Sequence, residues 1–127
     1  VWGDGEQTRS FLYVDDCVEG TLRLFESDHA EPINIGSDEQ VSINQMIGII
    51  EKISEGSVIK KNYQLDKPKG VRGRSSDNSF VNEKIGWQPN FTLKEGLKKT
   101  YSWIEKQIHS GSNIEKFCKS NIEKTIK

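Results

Sequence analysis

The sequence predicts a single mixed α/β domain built from short strands and amphipathic helices. The chain has 127 residues, which is enough to bury a core. Short β-branched runs alternate with segments of helical periodicity, and two capping boxes mark where helices begin. Hydrophobic residues make up 33% of the chain and charged residues 29%, and this lean composition favours a lobe that completes its burial against further protein.

The periodicity predicts each element in turn. Strands are expected over 10–14, 33–36 and 58–65, and helices over 15–25, 42–55, 93–109 and 114–126, with a short helix that ends near residue 86. Ser42 with Gln45 and Thr92 with Glu95 form the two capping boxes. In each, a hydroxyl and the Glu or Gln three residues later can exchange hydrogen bonds with the first backbone amides of the helix.

The ends and faces of two helices carry further expectations. Asp15 or Asp16 is expected to cap the first helix by accepting from its free backbone N–H groups, and helix capping explains these acids better than a metal site does. Asp77 or Ser76 is expected to cap the short helix in the same way. The buried face of the first helix is expected to consist of Cys17 or Val18, Thr21, Leu22 and Phe25.

The charge pattern gives no strong reason to expect a nucleic-acid partner. The net charge is −1, although residues 1–31 carry eight acids and residues 94–127 carry eight lysines. Lysines spread along helices usually form a solvated face. No apolar run approaches the roughly 18 residues that span a membrane. We therefore expect a cytoplasmic protein that binds neither nucleic acid nor membrane.

The cysteines and histidines match no known arrangement of ligands. Cys17 and Cys118 are far apart in the chain, and His29 and His109 have no potential partners at useful spacing. Unpaired thiols are typical of a reducing compartment. No metal site is expected.

Two polar stretches are the candidate binding residues. Residues 70–74 read GVRGR; in an extended segment Arg72 and Arg74 would point to one side and could grip a diphosphate. Gln7, Thr8 and Arg9 offer an amide, a hydroxyl and a guanidinium that could recognise a sugar or a phosphate. From these residues alone, a solvated loop is the favoured interpretation of each stretch, and a binding site is the alternative.

Several stretches together resemble one enzyme family. They read WGDG (2–5), QTRSF (7–11), VD (14–15), CVEG (17–20), NIGS (34–37), GW (86–87) and LKEGL (93–97). Over residues 1–109 the chain is similar to the C-terminal part of the extended short-chain dehydrogenase/reductases that act on nucleotide sugars. GVRGR (70–74), SDN (76–78) and QTR (7–9) are similar to the GDP-mannose 3,5-epimerases within that family.

The resemblance implies the C-terminal substrate-binding lobe of a Rossmann-type enzyme. Residues 1–109 would form this lobe, truncated at its N-terminal edge, and residues 110–127 a helical tail. NAD, the Tyr-x-x-x-Lys pair and the acid/base residues would belong to a missing N-terminal half. No catalytic, cofactor-binding or metal-binding residue is therefore expected in this chain, and the chain alone should be inactive.

The resemblance also assigns ligands and partners. Gln7, Thr8 and Arg9 resemble the family's substrate contacts, Arg72 resembles its diphosphate-binding arginine, and Arg74 is a neighbour of that position. The expected ligand is a nucleotide sugar, GDP-mannose first, and the intact protein is expected to be a homodimer. Alternatives are the lobe of another nucleotide-sugar 4-epimerase or 4,6-dehydratase, or a non-catalytic module that binds a protein or RNA.

Overall fold

The structure, a computed structural model, describes residues 1–55, 60–68 and 70–110. Its elements are β1 (Thr8–Ser10), α1 (Val14–Glu26), β2 (Gln40–Ser42), α2 (Ile43–Ile53), α3 (Ser79–Ile85) and α4 (Leu93–His109). Four helices and two very short strands make the described part an α/β structure, as the sequence predicts. The helix expected over 114–126 and the proposed tail lie outside the described residues.

The two strands form a small antiparallel sheet. Thr8 pairs with Ser42, Arg9 with Val41, and Ser10 with Gln40. The strand expected over 10–14 is therefore misplaced, because Val14 already begins α1.

The other two expected strands are not found among the described residues. Residues 33–36 form no strand. In the third segment, 58–65, only an isolated parallel bridge between Trp2 and Gln64 is present in the described part. β-Branched composition alone does not make a strand, because each strand needs a partner for its backbone.

Both predicted capping boxes are confirmed. At α2 the Ser42 hydroxyl accepts from the Gln45 backbone N–H at 3.1 Å, and Gln45 Oε1 accepts from the Ser42 N–H at 2.7 Å. At α4 the Glu95 N–H donates to Thr92 Oγ1 at 3.3 Å, and Glu95 Oε2 accepts from the Thr92 N–H at 3.0 Å. These local hydrogen bonds set where each helix begins.

The short helix α3 ends at the predicted position, but its N-cap is Asn78 without a side-chain cap, so the expected cap by Asp77 or Ser76 is wrong. Asp77 Oδ1 accepts from the Ser79 backbone N–H at 2.9 Å. The hydroxyl and the backbone N–H of Ser79 hold the pKa of the Asp77 carboxyl below its ordinary value. Gly86 follows α3 in the left-handed conformation with φ of 62°, which glycine adopts without strain.

The predicted buried face of α1 is wrong. Asp16, Gly20 and Leu24 face the protein instead, and Asp16 is only 1% exposed. Cys17, Val18, Thr21, Leu22 and Phe25 are exposed. Neither Asp15 nor Asp16 caps α1, because no side chain caps this helix. Asp16 is buried because its two carboxylate oxygens accept from the backbone N–H groups of Asn90 and Phe91, each at 3.0 Å.

The apolar side of α1 therefore faces away from the rest of the described chain. We call Val14, Val18, Leu22 and Phe25 the α1 stripe; their spacing places them on one side of the helix, and they are between 52% and 85% exposed. Trp2 is also 57% exposed. No helix within the described ranges is long and apolar enough to cross a membrane.

Trp87 is the centre of the small core. Its side chain is 0% exposed, and Val81 and Leu93 are buried with it. Gly20 of α1 lies directly against the indole: a Cβ added there would be 2.8 Å from Trp87 Cε2 and 2.9 Å from Ile35 Cγ2. Glycine at position 20 thus allows α1 to approach this core.

We expect Gly20→Ala to destabilise the protein by about 1–3 kcal/mol, because the new methyl group overlaps two core side chains. Gly48→Ala in α2 is the matched control, since a Cβ at that position meets nothing within 4 Å. The control should stabilise α2 by about 0.5–1 kcal/mol through helix propensity. Urea unfolding followed by circular dichroism measures the free energy of unfolding of both variants. A change of the same sign in Gly20→Ala and Gly48→Ala would contradict the proposed packing.

Candidate functional site

The two candidate binding stretches lie side by side, although 60 residues separate them in the sequence. We call residues 70–74 the arginine loop. The Thr8 backbone N–H donates to the Arg72 carbonyl at 2.8 Å, and Thr8 Oγ1 lies 3.4 Å from the same oxygen. The loop thus lies along the edge of β1 that β2 does not use. The structure brings Gln7, Thr8 and Arg9 next to Arg72.

The guanidinium of Arg9 donates hydrogen bonds to two backbone carbonyls. Its Nη1 donates to the Thr8 carbonyl at 2.6 Å and to the Val71 carbonyl at 2.8 Å. Gly70 lies close to this guanidinium: it has φ of 67°, and a Cβ there would be 3.3 Å from Arg9 Nη2. The left-handed conformation explains why glycine stands at position 70.

Gly73 explains how the loop reaches β1. A Cβ at position 73 would lie 2.6 Å from Thr8 Oγ1 and 3.2 Å from Gln40 Nε2. Position 73 therefore faces the sheet, and any side chain there would push the loop away from it. Arg72 and Arg74 flank this inward-facing glycine and are exposed.

Neither Arg72 nor Arg74 uses its guanidinium within the described part of the chain, where no hydrogen bond or ion pair engages either one. Two unpaired guanidinium groups on one loop provide a strong attraction for an anion. A planar guanidinium also matches two phosphate oxygens at once. The arrangement can hold a diphosphate without breaking a contact of the protein.

The side-chain oxygen of Gln7 is an acceptor that no donor among the described residues reaches. Its Nε2 donates to the Trp2 carbonyl at 2.9 Å, but its Oε1 is buried and has no hydrogen-bond partner among the described residues. Leaving such a group unpaired costs about 1–3 kcal/mol. A ligand hydroxyl or N–H that reached Oε1 would remove that cost.

Other titratable residues form no second site in the described ranges. No three His, Cys, Asp or Glu side chains lie close enough there to hold a metal ion. Cys17 is an exposed free thiol, and Cys118 lies outside the described residues. Asp16 is engaged by the backbone before α4.

Tyr63 and Lys67 have the Tyr-x-x-x-Lys spacing, a pair that we expected only outside this chain. In a helix this spacing places both side chains on one face, but residues 60–68 form no helix. The Tyr63 hydroxyl donates to Asn44 Oδ1 at 2.9 Å, and Lys67 Nζ lies 4.0 Å from Asp66 Oδ2. These two residues do not build a catalytic pair here.

A groove of about 560 Å³ lies between the residues that lead into α1 and the first turns of α4. Lys99 Nζ stands 4.9 Å from the centre of the Phe91 ring and 5.8 Å from that of Tyr13. The sequence pattern did not reveal this groove, because it predicted a strand at Tyr13. A lysine close to two aromatic residues that lie 78 positions apart in the sequence could be found only from the fold.

The sequence of the chain matches one known protein family. The chain belongs to the GDP-mannose 4,6-dehydratase family, whose model matches residues 1–100. It is 48% identical over 126 residues to the GDP-mannose 3,5-epimerase of Arabidopsis thaliana, covering 96% of this chain and 33% of that enzyme. It is 53% identical over 108 residues to GDP-mannose 3,5-epimerase 1 of Oryza sativa subsp. indica, covering 85% and 28%.

Solved structures of related enzymes share the fold. The UDP-glucose 4-epimerase of Thermotoga maritima with UDP-glucose superposes with a TM-score of 0.79 at 32% identity, over 85% of this chain and 35% of that chain. The UDP-glucuronic acid 4-epimerase of Bacillus cereus with UDP-glucuronic acid and NAD gives 0.76 at 37% identity, over 84% and 34%. This chain spans about a third of the length of the relatives it matches.

Proposed function

We propose that this chain is the substrate-binding, C-terminal part of an NAD-dependent nucleotide-sugar epimerase and that its substrate is GDP-mannose. The observation that supports this most is the contact between β1 and the arginine loop, in which the Thr8 backbone N–H donates to the carbonyl of Arg72 and brings the two candidate stretches together. The two GDP-mannose 3,5-epimerases, at 48% and 53% identity, favour GDP-mannose over other nucleotide sugars.

In this proposal each part of the ligand has its own contact. Arg72 binds the diphosphate through charge-assisted hydrogen bonds, and Arg74 adds positive charge nearby. Gln7 Oε1, which is buried and unpaired, accepts from a hydroxyl or an N–H of the ligand. Thr8 and Arg9 complete the recognition surface on β1.

NAD does not fit the described residues. The pyrophosphate of a dinucleotide binds where a glycine-rich turn opens a helix, and none of the four described helices follows such a turn. We propose that NAD, which supplies the oxidation and reduction of the sugar, binds to polypeptide outside this chain. The intact enzyme would be a cytoplasmic homodimer.

A second candidate keeps the fold and changes the reaction. The family model is that of a GDP-mannose 4,6-dehydratase, and several of the superposable structures are 4-epimerases that act on UDP-sugars. The lobe would then bind a nucleotide sugar in the same way, while residues outside this chain would determine the reaction.

The test is a chimaera in which this chain replaces the matching third of the Arabidopsis GDP-mannose 3,5-epimerase. We expect the chimaera to bind GDP-mannose more tightly than UDP-glucuronic acid, by calorimetric titration, and to epimerise it. The 127-residue chain alone should show no turnover, because the phosphate loop and a helical Tyr/Lys pair are absent from its described part.

Three results would contradict the proposal. Turnover by the chain alone would refute its assignment as a substrate-binding part. A preference of the chimaera for UDP-sugars would favour the second candidate. RNA binding that weakens steeply with salt, without any binding of nucleotide sugars, would identify a non-catalytic module.

A further inference from the structure

We propose that Asn44 is a positioning residue: from the first turn of α2 its side-chain amide holds the turn at residues 4–6 and thereby fixes the Gln7 side chain. The role of Gln7 in binding the ligand rests on the proposed function. The attachment of the turn to α2 rests on the contacts of Asn44 and can be tested without a ligand.

The first step is the set of hydrogen bonds that the Asn44 amide makes. Its Nδ2 donates to the Asp4 carbonyl at 3.0 Å and to Glu6 Oε1, and its Oδ1 accepts from the Tyr63 hydroxyl at 2.9 Å. Both N–H donors of the amide are therefore used. The Asp4 carbonyl and the Glu6 carboxylate can only accept, so they determine which end of the amide faces the turn.

The second step is that the backbone of the same segment is bound to the start of α2. The Asn44 backbone N–H donates to the Gly5 carbonyl at 3.0 Å, and that of Ile43 donates to the Gln7 carbonyl at 3.3 Å. These two N–H groups belong to the first turn of the helix, where no carbonyl of the helix can accept from them. Side-chain and backbone hydrogen bonds together attach four successive residues, 4–7, to α2.

The third step is that the Asn44 amide lies directly against the turn. Gly5 has φ of 76°, and a Cβ there would be 2.3 Å from Asn44 Oδ1 and 2.7 Å from its Cγ. Glycine at position 5 adopts this left-handed conformation without strain and leaves the space that the amide occupies. The shape of the turn therefore matches Asn44 as closely as its hydrogen bonds do.

The fourth step connects the turn to Gln7. Gln7 Nε2 donates to the Trp2 carbonyl at 2.9 Å across the turn, so Gln7 Oε1 keeps its direction only while residues 2 and 7 stay at this distance. This Oε1 is the buried acceptor without a partner among the described residues. By holding residues 4–6, Asn44 reduces the side-chain freedom that Gln7 would lose when a ligand binds, which is the basis of preorganisation.

The first measurement is hydrogen exchange of the chain without ligand, with Asn44→Asp as the variant. The substitution keeps the size of the side chain but replaces the NH2 donor by an oxygen that faces two other oxygens. An acidic residue near the N-terminus of a helix is itself favourable, so α2 should persist. The Ile43 amide reports on the turn, because its hydrogen bond to Gln7 exists only when the turn lies on α2. We expect this amide to exchange about tenfold faster, as for the loss of one charge-assisted hydrogen bond.

Asn82→Asp is the matched control. It makes the same chemical change in α3, at an exposed position, and should leave exchange at Ile43 unchanged. The Gly96 amide, which donates to the Thr92 carbonyl at 3.0 Å, should be unchanged in both variants and shows that the fold persists. Equal exchange at Ile43 in Asn44→Asp and the unsubstituted chain would overturn the proposal.

A second substitution separates the loss of this contact from a general loss of structure. When Asn44→Asp is combined with Glu6→Gln, the NH2 group moves to the other partner, so the new amide at position 6 can donate to the new carboxylate at position 44. We expect exchange at Ile43 to slow by about threefold relative to Asn44→Asp. If Glu6→Gln does not slow exchange in the Asn44→Asp background, the contact between positions 6 and 44 does not hold the turn and the proposal fails.

The second measurement is a double-mutant cycle with Gln7→Ala in the chimaera, by calorimetric titration with GDP-mannose. We expect Asn44→Asp to weaken binding about tenfold when Gln7 is present and less than about twofold in the Gln7→Ala background. Additive losses would mean that Asn44 does not act through Gln7, which overturns the proposal. If the unsubstituted chimaera does not bind GDP-mannose, the proposed function is refuted, while exchange at Ile43 still decides whether Asn44 holds the turn.

Discussion

Replacement of Arg72 by alanine is expected to weaken binding of GDP-mannose about thirtyfold, which corresponds to about 2 kcal/mol. The guanidinium is exposed and has no partner in the described residues, so it can turn to the diphosphate without losing a protein contact. The affinity of Arg72→Lys should lie between those of Arg72→Ala and the unsubstituted chimaera, because lysine keeps the charge but lacks the planar guanidinium. Calorimetric titration of the chimaera measures the three affinities.

Arg74→Ala is the control for this prediction. It removes the same charge from the same loop, two residues away, and Arg74 is equally exposed. We expect a smaller loss, in the range of an exposed ion pair at about 0–1 kcal/mol. If Arg72→Ala and the unsubstituted chimaera bind GDP-mannose and a UDP-sugar equally well, the arginine loop is a solvated turn and the proposed site is wrong.

Replacement of Asp16 by alanine is expected to destabilise the chain by about 3 kcal/mol, because two charge-assisted hydrogen bonds are lost at once. Both carboxylate oxygens are buried against the backbone N–H groups of Asn90 and Phe91. These two amides would remain without an acceptor, which adds to the loss. Asp16→Asn keeps one acceptor oxygen and should be intermediate. Urea unfolding followed by far-ultraviolet circular dichroism measures the three stabilities.

Asp15→Ala provides the comparison for this effect. Asp15 is adjacent in the sequence and carries the same charge, but it is exposed. Its loss should change the free energy of unfolding by no more than about 0.5 kcal/mol. If the two alanine variants are equally stable, Asp16 does not hold the segment before α4.

Features fixed by residues close in sequence were predictable. The capping boxes at Ser42 and Thr92 need only four consecutive residues, and both helices begin where the hydroxyl predicts. Gly86 ends α3 for an equally local reason, its left-handed backbone. The hydrogen bonds and backbone conformations that begin or end a helix involve only residues a few positions apart, so a short stretch of sequence contains every partner.

Features that depend on distant partners were not predictable from the pattern. The apolar residues of α1 repeat with helical spacing as expected, but they do not pack into the core of this chain. The side that packs here contains Asp16 and Gly20, because their partners are backbone amides at 90–91 and the Trp87 ring, about 70 positions away. The missing strand at 33–36 has the same cause: its composition suits a sheet, but no described segment pairs with it.

The candidate site was predictable from the sequence only in part. Residue chemistry alone left Gln7, Thr8, Arg9, Arg72 and Arg74 open between a binding site and two solvated loops. The contact of Thr8 with Arg72, which the sequence cannot show, brings the two stretches together. The unpaired Oε1 of Gln7 was also beyond prediction, because hydrogen-bond satisfaction depends on the whole fold.

The α1 stripe has a consequence for how this chain behaves as a folding unit. α1 contacts the rest of the described chain along one side only, through Asp16, Gly20 and the hydrogen bond from Arg23 to Gly86. Four large apolar side chains on its other side are exposed to water. Such a helix opens at a lower free energy than one packed on both sides. In hydrogen exchange α1 should therefore open before the Trp87 core unfolds, and polypeptide that covered the stripe would merge the two steps into one cooperative transition.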